Sequence, residues 1–295
     1  MTDRGILSSL RYLFADFIGE DDDDTAPFLP EGLPEPVTAV ASDAIHLLID
    51  YQGPSYARLY VHRLRRFIGK QGVDDAMLTE IARLMAVRMS YEDPIRIAQL
   101  KLAELDGRPA GSTGSVDVRK LRLDELIGAL PAVVAEYVLD ALEWMGWAHK
   151  SVPIRFSTAS RFGIRRLKIE AGLRRWRLLS VRYAKERVWV ERWLHMIDRS
   201  LTKQPQAASA MIHTATMIVG YGEVYRQGMA DWNAIIDGLA KPTFDGVLAL
   251  PDLAGAVAEA RAAAMPDPRQ MVLKRKIAEI RARVPAGSPT VVPSS

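Results

Sequence analysis

Apolar residues return at steps of three and four along most of this chain. One run reads Met77, Ile81, Leu84, Arg88, Tyr91, Ile95, Ala98 and Leu102. A second reads Trp176, Leu179, Tyr183, Glu186, Val190, Trp193 and Ile197, and a third reads Tyr221, Tyr225, Gly228, Trp232, Ile235 and Leu239. Alternating steps of three and four place the members of each run on one face of an α-helix. Ridges of that kind pack helix against helix, so the chain is predicted to be all-α, a bundle of long antiparallel helices. Two of the seams each carry a single charge, Arg88 in the first and Glu186 in the second. A charge on a buried face must be paired or be very costly. Each therefore calls for a partner of opposite sign, and each is a candidate partner for the other.

Punctuation divides the chain. Residues 1–24 combine an amphipathic stretch (Ile6, Leu7, Leu10, Leu13, Phe14, Phe17 and Ile18) with the acidic run DFIGEDDDD, and read as an N-terminal amphipathic arm. Residues 25–36, TAPFLPEGLPEP, are a proline-rich linker. A helical domain is expected over 37–284, and a disordered tail over 285–295. Within the domain, helix is expected from Val37 to Gly69 with a bend at Pro54. A long helix is expected from Asp74 and Asp75 to about Leu105, since acids suit a helix N-terminus. Residues 106–115 read as a loop. Residues 121–147 are helical with a bend near Pro131, and SVPIRFSTAS is extended. Helices follow over 161–172, 174–201, 206–219, 223–240, 251–264 and 269–283.

Composition narrows the chemistry. Apolar residues make up 48% and charged residues 25% of the chain, as expected of a soluble globular protein. No apolar run approaches the ~18–20 residues that span a bilayer, and the N-terminus lacks a signal-peptide pattern. There is no cysteine, which excludes disulfides, thiolate zinc sites and cysteine-ligated clusters within this chain. A cytoplasmic setting is the expectation. The net charge of +3 hides an asymmetry, because acids crowd 16–24 while eleven arginines and lysines crowd 161–192. Such blocks favour an internal contact or docking to charged partners. Trp176, Trp189 and Trp193 interleave the basic block, as in a nucleic-acid stripe. They fall with the apolar face, however, so a solvated face or protein dock is the better reading.

Individual motifs point away from catalysis. In IVGYGEVYRQG, Gly220 and Gly222 resemble the start of a phosphate loop, but Tyr225 stands where the third glycine belongs. The preceding segment is helical, whereas the dinucleotide fingerprint follows a strand. The stretch therefore reads as a junction between helices, with Gly220 at a left-handed C′ position and Gly228 allowing close helix approach. His46, His62, His149, His195 and His213 show no i, i+4 pair, so no metal site is expected. GxSxG is absent, and no histidine-linked nucleophile appears. More informative is MSYEDPIRIAQLK, where Arg88, Glu92 and Arg96 form an i, i+4, i+8 ladder beside Asp93. Pro94 should kink that helix and free a carbonyl. The ladder reads either as a polar site or as ion pairs closing the bundle.

Four stretches in order, LIDYQGPSYARLYVHRL, MSYEDPIRIAQLK, SVRYAKERVWVERWL and IVGYGEVYRQG, resemble the helical C-terminal domain of the long indolepyruvate ferredoxin oxidoreductase beta-subunit family, a domain of unknown function. The resemblance covers about residues 35–240. It is carried by YQ-x-x-YA at Tyr51, Gln52, Tyr56 and Ala57, and by M-x-YED-x-IR-x-A-x-LK at Tyr91, Glu92, Asp93, Arg96 and Lys101. The family usually shows KGYGDTH where this chain has Val219, Glu223 and Tyr225 at the polar positions, and Pro94 also departs from it. In long members this region follows a gamma-type α/β domain, so the resemblance implies a detached accessory domain or split subunit. The implied function is a non-catalytic part of an indolepyruvate-type 2-oxoacid:acceptor oxidoreductase complex, serving assembly or stabilisation. No cofactor is expected on this chain, and thiamine diphosphate and iron–sulfur clusters are implied on partner chains only. The implied partners are the gamma-type and thiamine-dependent parts, with the N-terminal arm as a docking element.

Two other functions stay open. One is a stand-alone ligand-binding or regulatory protein with a polar pocket near Tyr91–Arg96. The weaker one is nucleic-acid or anionic-membrane binding through 161–192. The candidate polar cluster or interface comprises Tyr51, Gln52, Tyr56, Arg88, Tyr91, Glu92, Asp93, Arg96, Lys101, Arg182, Tyr183, Glu186, Tyr221, Glu223 and Arg226.

Overall fold

Proline and the residue before it decide where several helices begin. Helix α1 (Glu35–Tyr51) gives way to α2 (Pro54–Arg65) across Gly53, whose φ of 128° is open to glycine but not to other residues. Pro54 is therefore the first residue of a new helix, where its missing N–H costs nothing, rather than a bend in a continuous one. The same happens further on. Helix α3 (Asp75–Met89) ends, residues 91–93 are non-helical, and α4 (Pro94–Asp106) begins with Pro94. Asp93 adopts extended backbone, and its carboxylate caps α4 by accepting from the Arg96 N–H at 2.6 Å. This corrects the expected single helix from Asp74 to Leu105, and with it the ladder of Arg88, Glu92 and Arg96.

These positions come from a computed structural model that describes residues 27–107, 114–128, 132–147, 150–220, 222–264, 267 and 269–283. The N-terminal arm, the region of Pro131, Tyr221 and the tail after 283 lie outside the described residues. The described chain is mostly helical, an all-α fold with one small two-stranded sheet. It divides into two units, 1–66 with 85–190 and 67–84 with 191–295.

The first unit contains α1, α2, the end of α3, and α4. It continues with β1 (Val116–Arg122), α5 (Leu123–Gly128), α6 (Ala132–Trp144), β2 (Ser151–Ser157) and α7 (Arg161–Gly172). A 3-10 turn over Leu173–Leu179 then leads into α8 (Val181–Lys203). The strands pair antiparallel, from Val116 opposite Ser157 to Arg122 opposite Ser151. The extended reading of SVPIRFSTAS matches β2, but β1 is a finding, since residues 116–120 carry no expected element and 121–122 are expected to be helical. Phe156 anchors the sheet by packing against Ile97, Ala98 and Leu167. Helix α7 starts at Ser160, whose hydroxyl accepts from the Gly163 N–H. Ser180 likewise caps α8 through the Tyr183 N–H at 3.1 Å, which splits the helix expected over 174–201.

The second unit takes the start of α3, the rest of α8, and a 3-10 turn over Pro205–Ala207. It adds α9 (Ala208–His213), a 3-10 turn over Thr214–Met217, α10 (Gly222–Ile235), a π turn over Ile236–Ala240 and α11 (Lys241–Phe244). Helices α12 (Leu253–Ala263) and α13 (Met271–Ala282) complete it. Trp193 and Trp232 lie fully buried in this core. Their indole N–H groups donate to the Met211 and Ile212 carbonyls and to the Thr214 hydroxyl, as buried indoles require. The π turn has a local cause: Pro242 cannot donate to the Gly238 carbonyl, which accepts from Arg281 instead. In the glycine stretch, Gly220 is left-handed as expected (φ 67°), although one residue beyond the C′ position. Gly228 lies so close to the preceding turn that a Cβ would sit 2.2 Å from the Met217 carbonyl oxygen.

Among the described residues no helix is long and apolar enough to cross a membrane, and no three His, Asp or Glu residues gather as a metal site.

A buried tyrosine–arginine cluster as the candidate functional site

The two helix breaks of the first unit satisfy one another. A helix end leaves carbonyls without partners. The break after α3 exposes the carbonyls of Met89 and Tyr91, which accept from the hydroxyls of Tyr56 (3.0 Å) and Tyr51 (3.1 Å). The break after α1 exposes the Tyr51 carbonyl, which accepts from Arg177 Nη1 at 2.7 Å. The two tyrosines stack with ring centroids 6.0 Å apart. Tyr91 meets Tyr51 edge-on at 5.9 Å, and Tyr183 lies 5.9 Å from Tyr56.

Arg177 is the hub, and it is 1% exposed. Its Nε and Nη2 fork onto Asp93 at 2.6 and 3.0 Å, and Nη1 also reaches Gln52 Oε1 at 3.0 Å. The guanidinium lies 3.9 Å from the Tyr51 ring centroid. A planar fork against carboxylate and ring is a geometry that lysine cannot reproduce. Arg96 also borders the Tyr51 ring, 5.7 Å from its centroid, and donates to Asp50 at 2.8 Å.

A second buried pair lies nearby in the same unit. Arg88 donates to Glu186 at 2.9 Å, with side chains 5% and 3% exposed, so the two seam charges do meet each other. The Arg88 guanidinium rests 5.0 Å from the Trp189 ring. Arg182 approaches the other Glu186 oxygen at 3.9 Å and lies 5.1 Å from the Tyr91 ring. The Tyr91 hydroxyl is buried and makes no hydrogen bond within the described chain.

A family model described as DUF6537, a family of unknown function, matches residues 37–238, which is more than half of the chain. The chain belongs to this DUF6537 family. No curated protein and no solved structure matches it.

The matched span of this DUF6537 chain contains the whole cluster. Of the residues singled out in the sequence, Tyr51, Gln52, Tyr56, Arg88, Tyr91, Asp93, Arg96, Arg182, Tyr183 and Glu186 are brought together. Glu92 and Lys101 lie at the margin, where Glu92 pairs with Arg119 and Lys101 with Glu104 and Asp117. Glu223 and Arg226 belong to the second unit and pair with each other on its surface. Tyr221 lies outside the described residues. Arg177, Trp189 and Asp50 were missed. Arg177 sits in the basic block, where its sequence neighbours do not distinguish it from Arg174. A usable sign was Ser180, a capping residue that breaks the helix and frees Arg177 to turn inward.

The cluster's chemistry is that of neutral phenols and neutralised guanidiniums. Burial, followed by Tyr91 and Asp93, pushes the Tyr51 hydroxyl well above its ordinary pKa. Burial and Asp93 do the same for Tyr91, and burial and Tyr183 for Tyr56. None is a phenolate at neutral pH, and both Asp93 oxygens are engaged by Arg177, so neither phenol nor carboxylate is poised as a base.

These shifts have a consequence at alkaline pH. The unfolded chain releases phenolic protons near pH 10, whereas the folded tyrosines retain theirs. The unfolded state then binds fewer protons, so stability is intact below about pH 10 and falls above it, by up to about 1.4 kcal/mol per pH unit for each tyrosine. Phenolate absorbance from the cluster should appear together with loss of helical circular dichroism as the pH rises. Titration of all the tyrosines with the helices intact would contradict it.

Proposed function

We propose that this DUF6537 chain is a non-catalytic helical scaffold, acting as an accessory subunit or domain of an indolepyruvate-type 2-oxoacid:acceptor oxidoreductase complex. The observation that carries the scaffold reading is the use of the cluster's charges. Asp93 is spent on Arg177, Glu186 on Arg88, Arg96 on Asp50 and Glu92 on Arg119. A polar pocket near Tyr91, Glu92, Asp93 and Arg96 would have favoured a stand-alone ligand-binding protein, but the charged members of that set are consumed in pairs. Four helix ends and a 3-10 turn are tied into one geometry, which suits a part that holds a shape for others.

The link to the oxidoreductase complex rests on the ordered similarity of the four stretches. Thiamine diphosphate and iron–sulfur clusters would then reside on partner chains, and the setting would be cytoplasmic. Exposed aromatic residues on and just after α6 support a docking role, with Tyr137 78%, Trp144 89% and Trp147 47% exposed. Co-expression with gamma-type and thiamine-dependent subunits should yield a complex that co-elutes in gel filtration, and Tyr137→Asp with Trp144→Asp should reduce the co-eluting fraction. Separate elution of the unaltered chain from both subunits would remove the proposal.

A further inference from the structure

A cavity of about 560 Å³ opens within the second unit, walled by α10, α12 and the 214–217 turn. That volume suits a small organic molecule. Its walls are largely apolar, including Met217, Val224 and Ala258, and two charged residues, Arg261 and Asp231, also line it.

Neither charge meets an opposite charge among the described residues. Arg261 donates through Nη2 to the neutral Thr216 hydroxyl at 2.9 Å, and its Nε is buried without an acceptor. No carboxylate of the described residues pairs with it, and burial pushes its pKa below the usual arginine value. Asp231 is 5% exposed. Its Oδ1 accepts only from the neutral amides of Gln227 and Gln270, each at 2.8 Å, and no described lysine or arginine pairs with it. Elsewhere in the same unit arginines meet acids directly, as Arg199 meets Asp245 and Arg283 meets Glu259. A partly buried charge without a counter-charge is costly, and among the described residues Arg261 and Asp231 form no ion pair with each other.

We propose that this cavity binds a small zwitterion of the amino-acid class, with its carboxylate on Arg261, its ammonium on Asp231 and an apolar side chain against Met217, Val224 and Ala258. One dipolar molecule neutralises both charges. A simple carboxylate would leave Asp231 unmatched, and a simple amine would leave Arg261 unmatched. The site lies outside the tyrosine–arginine cluster and does not depend on the scaffold reading.

The test uses the full chain and each standard L-amino acid at millimolar concentration, followed by thermal shift and calorimetry. One or more amino acids with apolar side chains should raise Tm and bind saturably. Arg261→Gln and Asp231→Asn should each weaken that binding by about tenfold or more, and so should removing the ligand's amino or carboxyl group. Arg261→Lys, which keeps the charge, should recover part of the affinity. Circular dichroism checks that the variants fold, and if Arg261→Gln does not, Arg261→Lys and Asp231→Asn carry the comparison. The proposal is overturned if no amino acid binds, if binding survives the folded variants unchanged, or if the matching amine or simple carboxylate binds equally well.

Discussion

Replacing Arg177 by alanine should destabilise the first unit by about 3–5 kcal/mol, the range for breaking a buried ion pair from one side. The cost comes from what is left behind. Asp93 loses both forked bonds and remains 5% exposed with only the Arg96 N–H to hold its charge. The Tyr51 carbonyl and Gln52 lose a donor at the break between α1 and α2. The Tyr51 ring loses the guanidinium 3.9 Å from its centroid. At about 2–4 °C per kcal/mol for a unit of this size, the unfolding transition should move down by roughly 10 °C. Arg177→Lys should recover less than half of the loss, because one ammonium cannot fork onto Asp93 and also reach the Tyr51 carbonyl. Asp93→Asn separates the two roles of that residue: asparagine still caps α4, but the guanidinium is left without an anion. If Arg177→Ala shifts the urea midpoint by no more than a surface substitution does, the hub does not organise the unit.

How much of this was legible follows from the range of each interaction. The all-α class was legible because the seams are local: Ile81, Leu84, Tyr91, Ile95, Val190, Trp193, Trp232 and Ile235 are buried as their spacing requires. The Arg88–Glu186 contact was legible because a lone charge on an apolar face demands a partner. The helix breaks were harder to read. Periodicity runs through Asp93–Pro94 without interruption, so Tyr91 and Ile95 both stay buried although the backbone between them is not helical. Strand β1 was hidden for a different reason. VDVRKLR carries charges, and Val116 and Val118 are half exposed, so no clean alternation marks it. Arg177 was illegible because its partner Asp93 is 84 residues away, and only the folded chain selects it from the basic block.

Removing both charges of the Arg88–Glu186 pair should harm the unit less than removing either one. Arg88→Met leaves Glu186 buried with Arg182 as its remaining cation, 3.9 Å away. Glu186→Leu leaves the Arg88 guanidinium buried against Trp189 without the carboxylate it donates to at 2.9 Å. Each single change should cost about 3–5 kcal/mol, because an uncompensated charge is stranded. In the double variant no charge of the pair remains, leucine and methionine fill comparable volume, and the methionine sulfur can rest against the Trp189 ring. The loss should then fall below that of either single change, so the coupling energy exceeds the cost of one single change, about 3–5 kcal/mol, and lies above the usual 0.5–3 kcal/mol for residues in contact. Arg182, left without Glu186, limits the recovery. Urea denaturation of the four proteins measures this directly, since the coupling is the departure of the double variant from the sum of the singles. Additive losses would mean that the two charges are held independently, by Trp189 and Arg182, and that their pairing contributes nothing to stability.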